Sequence, residues 1–365
     1  MSDTIKKIGV MTGGGDCPGL NPVIRAVVRT AILKYGLEVV GFKHGYNGLY
    51  HNIVIPLDLD SVSGILPIGG TILNSSNKDN LFQYPFEENG KIVYRDVSDV
   101  GVENIKKNGI DAMVIIGGDG TLTSGRDFAR KGVKVVGVPK TIDNDLACTD
   151  YTFGFDTAVS VASEALDRLH TTAASHNRIM VLEVMGRYAG WIALAAGVAG
   201  GADAIMIPEL PYDIHKIADA LIARKESGRK FSVVVVAEGA KSVTGEMHVN
   251  KVISDSPDPI RLGGIGTKVA DELEKLVGLE SRATILGHIQ RGGTPTARDR
   301  ILSTRYGSEA VELLMAGKFG NMVTLKGDDM SYESLEDVIG KNKGVDPDCE
   351  LVRMAKGIGI CFGDE

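Results

Sequence analysis

The sequence predicts an α/β protein with doubly wound, mostly parallel β-sheets, and three observations support this fold class. Short apolar runs typical of buried strands recur along the chain and alternate with stretches of helical periodicity. Glycine-rich turns separate several of these runs from the helix that follows, as in βαβ units. The 365 residues are also long for a single hydrophobic core, so two domains are expected.

The composition is that of a soluble globular protein. Hydrophobic residues make up 43% and charged residues 24% of the chain, and the net charge of −7 disfavours nucleic acid as a partner. The N-terminal stretch lacks the apolar core of a signal peptide, and the most apolar stretch, 189–199, is too short to span a membrane. The four cysteines form no CxxC pair, which favours reduced thiols over a zinc site or disulfides. We therefore expect a cytoplasmic protein with neither nucleic acid nor membrane as a partner.

The first predicted unit is a strand over residues 7–11, followed by the glycine-rich turn TGGGDCPG and a helix. Asn21 is expected to cap this helix, with Pro22 at its first position. A strand, a glycine loop and a helix N-terminus together form a candidate phosphate site. The turn matches neither GxGxxG in the register of a dinucleotide fold nor the P-loop GxxxxGK[ST], which gives little support to a dinucleotide site.

The next stretch is a predicted strand at 37–43 followed by many turns between residues 46 and 81. Its polar run, 74–80, contains Lys78, whose ammonium group could reach a phosphate. A solvated surface loop is the alternative interpretation. A predicted helix at 100–107 leads into the following strand.

Residues 114–121, VIIGGDGT, carry the strongest local signal. A short buried strand ends in two glycines, Asp119 follows at its carboxyl end, and a helix comes next. Parallel α/β sheets bind ligands at this place, where backbone N–H groups favour anions. A carboxylate beside bound phosphates is suited to Mg²⁺, which takes few protein oxygens. The alternative is a tight glycine turn with a surface aspartate.

A helix at 123–130 and a strand at 133–138 lead to a second group of polar residues, PKTIDND. Asp143 and Asp145 stand two residues apart at the carboxyl end of that strand. The arrangement suggests a general base near a phosphate contact, and Lys140 with bound Mg²⁺ would keep such a carboxylate ionised. An Asx-type turn is the alternative.

Five motifs in one order resemble the 6-phosphofructokinase family. They are GGGDCPGLN, GGDGT, PKTIDND, MGRYAGWIALAAGVAGGAD and LGHIQRGG, and the similarity extends from about Ile5 to Gly320. The resemblance implies two Rossmann-like three-layer α/β domains with the active site in the cleft between them. It also implies Mg²⁺-dependent phosphoryl transfer to the 1-hydroxyl of fructose 6-phosphate.

The resemblance also implies a division of the chain and roles for individual residues. A phosphoryl-donor domain would comprise residues 1–154 and 292–340, a fructose 6-phosphate domain 155–291, and a C-terminal tail 341–365. Asp119 would hold Mg²⁺, Asp143 would accept the proton with Thr141 beside it, and Arg187 would face the transferred phosphoryl group. Donor-binding positions are Gly14, Asn77, Lys78, Gly118, Asp119, Gly120 and Thr121. Acceptor-binding positions are Thr141, Ile142, Asp143, Arg178, Met185, Gly186, Arg187, Glu238, Arg282, His288, Ile289, Gln290 and Arg291.

Two of these arginines, Arg178 and Arg282, match family positions that reach the sugar phosphate of a neighbouring subunit. The resemblance therefore implies a homodimer or homotetramer. Planar guanidinium groups suit such a role because they donate two hydrogen bonds to one phosphate.

The identity of the phosphoryl donor depends on two residues with opposite implications. Pyrophosphate-using relatives tend to carry aspartate where this chain has Gly120, and a side chain there would crowd and repel the inner phosphate of a nucleotide. The same relatives carry lysine at Lys140, where bacterial ATP enzymes have glycine. This pair resembles the mixed-substrate subgroup, and we expect ATP as the donor, with pyrophosphate as the alternative. A second departure is Asn77, which stands where an arginine is usual; Lys78 could supply that charge.

Two other classes of function remain open at this point. GGDGT also marks lipid and NAD kinases, although PKTIDND, MGR and GHIQRGG fit a phosphorylated sugar as the acceptor. A non-catalytic regulatory subunit is disfavoured because both Asp119 and Asp143 are present.

Overall fold

The computed structural model describes residues 5–77, 79–88, 90–245, 249–252 and 260–364. The strands are β1 (Lys7–Thr12), β2 (Glu38–Phe42), β3 (Val54–Leu57), β4 (Tyr84–Glu88), β5 (Lys91–Arg95), β6 (Ala112–Gly117), β7 (Val135–Pro139), β8 (Ile179–Val184), β9 (Ala204–Met206), β10 (Ser232–Ala237), β11 (Val249–Val252), β12 (Ile260–Leu262), β13 (Ser281–Ile285), β14 (Asn321–Lys326) and β15 (Asp329–Ser334). The helices are α1 (Leu20–Tyr35), α2 (Gly45–His51), α3 (Ser98–Lys107), α4 (Asp119–Arg130), α5 (Phe155–His176), α6 (Trp191–Ala199), α7 (Ile214–Glu226), α8 (Ile265–Val277), α9 (Ala297–Met315), α10 (Leu335–Val338) and α11 (Glu350–Gly357), with a 3₁₀ helix at Gly287–Arg291. The α/β class expected from the sequence is confirmed.

The chain divides into two compact units. The first unit comprises the residues up to Ile142, Leu146–Gly154 and Arg291–Lys341. The second comprises Asp143–Asp145, Phe155–Gln290 and the residues from Asn342 onward. This division differs from the expected one at Asp143–Asp145 and at the residues from Asn342 onward, which cluster with the second unit, and at Arg291, which clusters with the first.

The first unit contains a seven-stranded sheet in the order β15-β14-β7-β6-β1-β2-β3. The five central strands, from β14 to β2, pair in parallel, and β15 and β3 pair antiparallel at the two edges. All six residues of β6 are buried, which explains its continuous apolar sequence. Aromatic and aliphatic side chains from α2, α3 and α4, with Phe128 at the centre, pack against this sheet.

Three predicted polar loops follow three neighbouring strands of this sheet. The TGGGDCPG turn follows β1, the GGDGT motif spans the end of β6 and the start of α4, and PKTIDND follows β7. Because β1, β6 and β7 are parallel and adjacent, their carboxyl ends lie at the same edge of the sheet. The topology therefore places the first loop beside two loops that come about a hundred residues later in the sequence.

The second unit contains a parallel four-stranded sheet in the order β13-β8-β10-β9. Residues 185–187 follow β8, Glu238 follows β10, and the 3₁₀ helix that carries His288 follows β13. These three strands are again neighbours, so the predicted acceptor residues that follow them share one edge of this sheet. Helices α7 and α8 cover one face with an aliphatic core.

The first helix begins differently from the expectation. The sequence predicts Asn21 as its cap, but α1 begins at Leu20 and its cap is Gly19, whose φ of 114° suits glycine. Asn21 is buried and its side chain instead holds the segment at residues 68–72. Its Nδ2 donates to the carbonyls of Ile68 and Gly69, and its Oδ1 accepts from the amide of Ile72 at 2.8 Å.

The C-terminal residues are tied to the second unit by backbone hydrogen bonds. The amide of Ile205 donates to the carbonyl of Cys361 at 2.9 Å, and the amide of Cys361 donates to the carbonyl of Asp203 at 3.0 Å. Residue 361 thus forms a parallel bridge beside β9. Helix α11 precedes this bridge and buries Val352 and Ala355.

None of the helices in the described part of the chain is both long enough and apolar enough to cross a membrane.

Candidate active site

Backbone hydrogen bonds connect the predicted donor loops of the first unit. The amide of Gly13 donates to the carbonyl of Ile116 at 2.9 Å, and the amide of Gly14 donates to the carbonyl of Ser76 at 3.0 Å. Ser75 Oγ also donates to the carbonyl of Gly14 at 2.5 Å. A cavity of about 450 Å³ opens beside this turn, and its lining comprises Gly14, Gly15, Asp16, Thr71, Asn74, Ser75 and Asn77. Two predicted donor residues, Gly14 and Asn77, therefore line one cavity.

The glycines of these loops serve two different purposes. A Cβ atom at Gly13 would lie 2.6 Å from Thr121 Cγ2, and one at Gly117 would lie 2.3 Å from Thr121 Cβ. Both positions must be glycine because the buried side chain of Thr121 packs against them. Gly120 is different, since a Cβ there would meet no atom within 4 Å and its φ lies outside the left-handed region. The fold itself therefore does not require glycine at residue 120.

Asp119 is an exposed residue at the start of α4, directly after Gly118. The amide of Gly340 donates to its Oδ1 at 2.9 Å, which orients the carboxylate. No cluster of three or more His, Cys, Asp or Glu side chains suited to a metal occurs among the described residues. A single exposed carboxylate beside a phosphate cradle fits Mg²⁺, because this ion commonly uses one or two protein carboxylates, substrate phosphates and water.

Lys140 lies at the end of β7 and reaches back to the first loop. It is 7% exposed, and its Nζ donates to the carbonyl of Gly15 at 2.6 Å. Its own backbone amide donates to the carbonyl of Gly117 at 3.0 Å. The lysine therefore links the loops that follow β1, β6 and β7.

Gly15 also carries the side chain of Arg291. A Cβ at Gly15 would lie 1.9 Å from Arg291 Nη1, and the three nearest atoms all belong to that arginine. The guanidinium group thus packs directly on the bare backbone of the first loop.

Cys17, two residues farther on, is fully buried, and burial raises the pKa of its thiol to about 12, so it stays protonated at neutral pH.

The PKTIDND loop leaves β7 in an irregular conformation. Thr152 Oγ1 donates to the carbonyl of Thr141 at 2.7 Å, and the side chain of Ile142 is buried. Asn144 is buried and adopts a left-handed φ of 53°. Asp143 lies between these residues and is partly buried.

In the second unit the residues after β8 and β10 are hydrogen-bonded to each other. The amide of Glu238 donates to the carbonyl of Val184 at 2.9 Å, and the amide of Gly239 donates to the carbonyl of Gly186 at 3.1 Å. Gly186 has a φ of 138°, and a Cβ at Gly239 would lie 2.0 Å from the carbonyl oxygen of Arg187. Two predicted acceptor segments, with Met185 and Arg187 in one and Glu238 in the other, are therefore held together.

The 3₁₀ helix after β13 completes this edge. Its start is fixed next to β8, since the amide of Leu286 donates to the carbonyl of Glu183 at 3.1 Å. His288 and Ile289 are exposed, whereas Gln290 is fully buried and its Nε2 donates to the carbonyl of Gly287 at 3.2 Å. The structure thus exposes His288 and Ile289 and gives Gln290 an internal contact.

Arg178 and Arg282 lie at the opposite edge of the same sheet. Arg178 precedes β8 and Arg282 is the second residue of β13, at the amino ends of these strands. Both pair with Glu280: Arg178 Nε lies 2.6 Å from its Oε2, and Arg282 Nη2 bonds to its Oε1. These arginines hold the pKa of the Glu280 carboxyl below its usual value. The structure brings the two arginines together, but separates them from Met185 by the length of β8.

The chain matches a sequence profile described as phosphofructokinase over residues 7–314. It belongs to the phosphofructokinase family. A Clostridium perfringens relative named "ATP-dependent 6-phosphofructokinase 2" is 67% identical over 366 residues, which cover all of both chains. A Streptomyces coelicolor relative named "Pyrophosphate--fructose 6-phosphate 1-phosphotransferase" is 47% identical over 98% of this chain and all of the relative.

A solved phosphofructokinase has the same fold. The T-state structure of the Pichia pastoris enzyme superimposes with a TM-score of 0.78 and is 32% identical, over 93% of this chain and 38% of the Pichia chain. This phosphofructokinase-family chain therefore spans well under half of that yeast protein. The two-domain α/β architecture of the family agrees with the predicted fold class.

The sequence did not identify several residues that contact the predicted site. Gly15 carries Arg291, and Lys343 contacts the PKTIDND loop through its amide and its ammonium group. Glu209 holds the residues that follow Arg187. Gly15 lies within the glycine-rich motif that the sequence shows after β1, but no local pattern marks Lys343 or Glu209. The predicted donor residue Lys78 lies outside the described residues.

A separate cavity lies away from the predicted residues of the first unit. It has a volume of about 710 Å³ and lies between the start of α9 and the turn after β14. Arg298 stacks on Tyr151 at its wall, with 4.3 Å between the guanidinium carbon and the ring centroid. None of the predicted site residues lines this cavity, so its volume does not identify the predicted active site.

Proposed function

We propose that this chain transfers the terminal phosphoryl group of ATP to the 1-hydroxyl of D-fructose 6-phosphate, giving fructose 1,6-bisphosphate and ADP, a step of glycolysis. One observation carries the proposal: in each unit, the predicted loops follow three adjacent parallel strands and share one edge of a sheet. The ATP-dependent name of the 67% identical relative supports the same reaction. The lipid-kinase and NAD-kinase alternatives lack support from these relatives.

The chemistry follows from the residues at those edges. The oxygen of the sugar 1-hydroxyl forms a bond to the terminal phosphorus as the bond to the ADP oxygen breaks, and Asp143 takes the hydroxyl proton. Asp119 would hold Mg²⁺, which would neutralise charge on the donor phosphates. The backbone of Gly118, Gly120 and Thr121 lies at the N-terminus of α4, where N–H groups favour anions. Arg187 stabilises the transferred group through its planar guanidinium.

The acceptor is held mainly by side chains. Glu238 binds a sugar hydroxyl, and His288 and Arg291 bind the 6-phosphate. Met185 and Gly186 shape the sugar-binding segment, and Thr141 and Ile142 position the substrate beside Asp143. The hydrogen bonds between residues 184–187 and 238–239 support this assignment because they fix the two segments against each other.

Glycine at residue 120 is the main argument for ATP. A Cβ atom at this exposed position would meet no protein atom within 4 Å, so packing does not require glycine there. The glycine instead leaves space for a ligand. The direct bond between Lys140 and the carbonyl of Gly15 supports a structural role for the lysine, which lessens its weight as a mark of pyrophosphate use. Pyrophosphate remains the second candidate donor because the 47% identical Streptomyces relative is named for it.

The acceptor site is completed by a neighbouring copy of the chain in a homodimer or homotetramer. A strand rises about 3.3 Å per residue, so Arg178 and Met185 lie roughly 20 Å apart along β8. That separation exceeds the reach of an arginine, so Arg178 cannot join the site formed at the other edge of its own sheet. The shared pairing of Arg178 and Arg282 with Glu280 supports a joint role of the two arginines toward a partner's substrate.

A donor comparison tests the proposed function. Purified protein is given fructose 6-phosphate and Mg²⁺ with either ATP or pyrophosphate, and formation of the bisphosphate is followed. We expect turnover with ATP and at least tenfold lower kcat/KM with pyrophosphate. Preferential use of pyrophosphate would refute the donor assignment. Absence of turnover with both donors would refute the acceptor assignment.

A further inference from the structure

The segment formed by residues 342–345, which we call the C-terminal strap, is bonded to the loop that carries Asp143. The amide of Lys343 donates to the carbonyl of Asp145 at 2.8 Å, and its Nζ donates to Asn144 Oδ1 at 3.1 Å. The strap and Asp143–Asp145 both belong to the second unit. Lys343, almost two hundred positions after the loop in the sequence, therefore contacts it through both its backbone and its side chain.

The strap is also bonded to the segment that follows Arg187. Asn342 Nδ2 donates to the carbonyl of Tyr188 at 3.3 Å. Trp191 Nε1 donates to the carbonyl of Lys343 at 2.8 Å, and Lys343 Nζ lies 5.8 Å from the centroid of the indole ring. Trp191 thus contacts Lys343 in two ways, by a hydrogen bond to its backbone carbonyl and by a cation–π interaction with its ammonium group.

Glu209 anchors the strap from its other end. Its Oε1 accepts from the amide of Val345 at 2.7 Å and from the amide of Gly190 at 3.0 Å. Gly344 lies between them, and a Cβ there would be 3.3 Å from Oε1. Burial raises the pKa of the Glu209 carboxyl, and the two amides partly oppose that effect. The carboxylate therefore joins the strap to the residues just before α6.

We infer that Lys343 is a positioning residue that fixes the loop bearing Asp143 to the segment bearing Arg187, with Trp191 and Glu209 holding the strap in place. Asn144, beside Asp143, is buried in a left-handed conformation, and the hydrogen bond from Lys343 Nζ to its Oδ1 fixes its side chain. The inference rests on the proposed function for the roles of Asp143 and Arg187. It assigns a role to the C-terminal residues, for which the sequence offers no motif.

Lys343→Met tests this inference, because methionine keeps an unbranched apolar side chain over Trp191 and removes the ammonium group. We expect kcat to fall about tenfold, since small displacements of a catalytic group are costly, while KM for both substrates changes less than about twofold. Amide hydrogen exchange in the peptide covering residues 141–145 should become faster. Lys343→Arg, which restores a cation, should recover most of kcat.

Lys341→Met is the matched control. This lysine stands two residues earlier, its side chain is exposed, and its ion pair with Asp337 spans 3.9 Å. The control should leave kcat and exchange at 141–145 at wild-type values. If Lys343→Met also leaves both at wild-type values, or lowers kcat only together with a general loss of thermal stability, the positioning role is refuted.

A second variant decides whether the ammonium acts through Asn144. Asn144→Gly removes the accepting amide and still allows a φ of 53°. In a double-mutant cycle, Lys343→Met should have no further effect in the Asn144→Gly background. Additive effects would contradict the inferred contact. A wild-type protein without turnover would refute the proposed function, whereas the exchange data would still decide the role of Lys343.

Discussion

The two sheets of this protein present different chemistry at their carboxyl edges. The loops after β1 and β6 are rich in glycine, and Asp16 and Asp119 supply their exposed carboxylates. The loops after β8, β10 and β13 instead end in larger side chains: Arg187, Glu238 and His288. Under the proposed function, the first edge binds the phosphates of the donor and the second binds the sugar of the acceptor.

This difference predicts that the two edges respond to different kinds of substitution. A phosphate site built from backbone N–H groups requires residues without bulky side chains. Added side-chain atoms should therefore disturb it in proportion to their size and charge. A side-chain site needs particular functional groups, so their removal should disturb it. Asp143 is proposed to accept the proton of the acceptor hydroxyl, so its removal should lower kcat and leave the binding of both substrates largely intact.

The largest expected effect is that of Asp143→Ser. We expect kcat to fall about a thousandfold, within the range of a lost general base, with KM for both substrates changed less than about threefold. Asp145→Ser, two residues away in the same loop, is the control and should lower kcat less than about tenfold. Steady-state kinetics of the two variants decide between the carboxylates. Equal losses in both would show that the loop, and not Asp143, is what matters.

Gly120→Asp tests the backbone cradle of the first sheet. The position is open, so the variant should fold, and the new carboxylate should raise KM for ATP about a hundredfold by crowding and repelling the phosphates. Gly120→Asn has the same shape without the charge and separates the two causes. KM for fructose 6-phosphate should stay within about twofold. An unchanged KM for ATP would contradict the steric account of donor choice.

Arg282→Ala tests whether the second sheet serves two active sites. Loss of a charge-assisted phosphate contact should raise KM for fructose 6-phosphate about thirtyfold. Mixed oligomers prepared from Arg282→Ala and Asp143→Ser chains should show more activity at low substrate than either parent, because hybrid sites can combine intact groups. No gain in the mixture would place Arg282 in its own protomer's site or outside it.

Gly15→Ala is expected to have the smallest effect. It alters the loop after β1 and, through direct contact, the position of the Arg291 side chain. The new methyl group would collide with the end of the flexible Arg291 side chain, so the fold should persist while the guanidinium moves. We expect KM for fructose 6-phosphate to rise about tenfold, the cost of one weakened charged hydrogen bond. Gly357→Ala is the control, because a Cβ there would meet no atom within 4 Å and its φ, like that of Gly15, is ordinary. A crystal structure with Arg291 unmoved would refute this account.

The sequence was sufficient for the family and for many of the elements, but the stretch between residues 46 and 81 that was expected to form turns contains most of α2 and all of β3. Apolar periodicity placed β6 and β7 to within about two residues, and glycine-rich turns marked where ligands bind in parallel α/β sheets. The start of α1 was misplaced because Asn21 has the properties of a cap, whereas its side chain is used by residues 68–72. A cap preference is a local property, and a buried tertiary contact outweighed it here.

The sequence by itself determined the fold class, the family and the order of the polar loops along the chain, because these depend on local patterns and on motifs. Only the tertiary structure decided which glycine is required by packing and which is open, since Gly117 and Gly120 are alike in the sequence. It also decided that Arg291 rests on Gly15, that Arg178 and Arg282 share Glu280, and that Lys343 reaches Asn144 across 199 positions. Contacts between residues so distant in sequence leave no local pattern, because they form only when the strands and helices have packed.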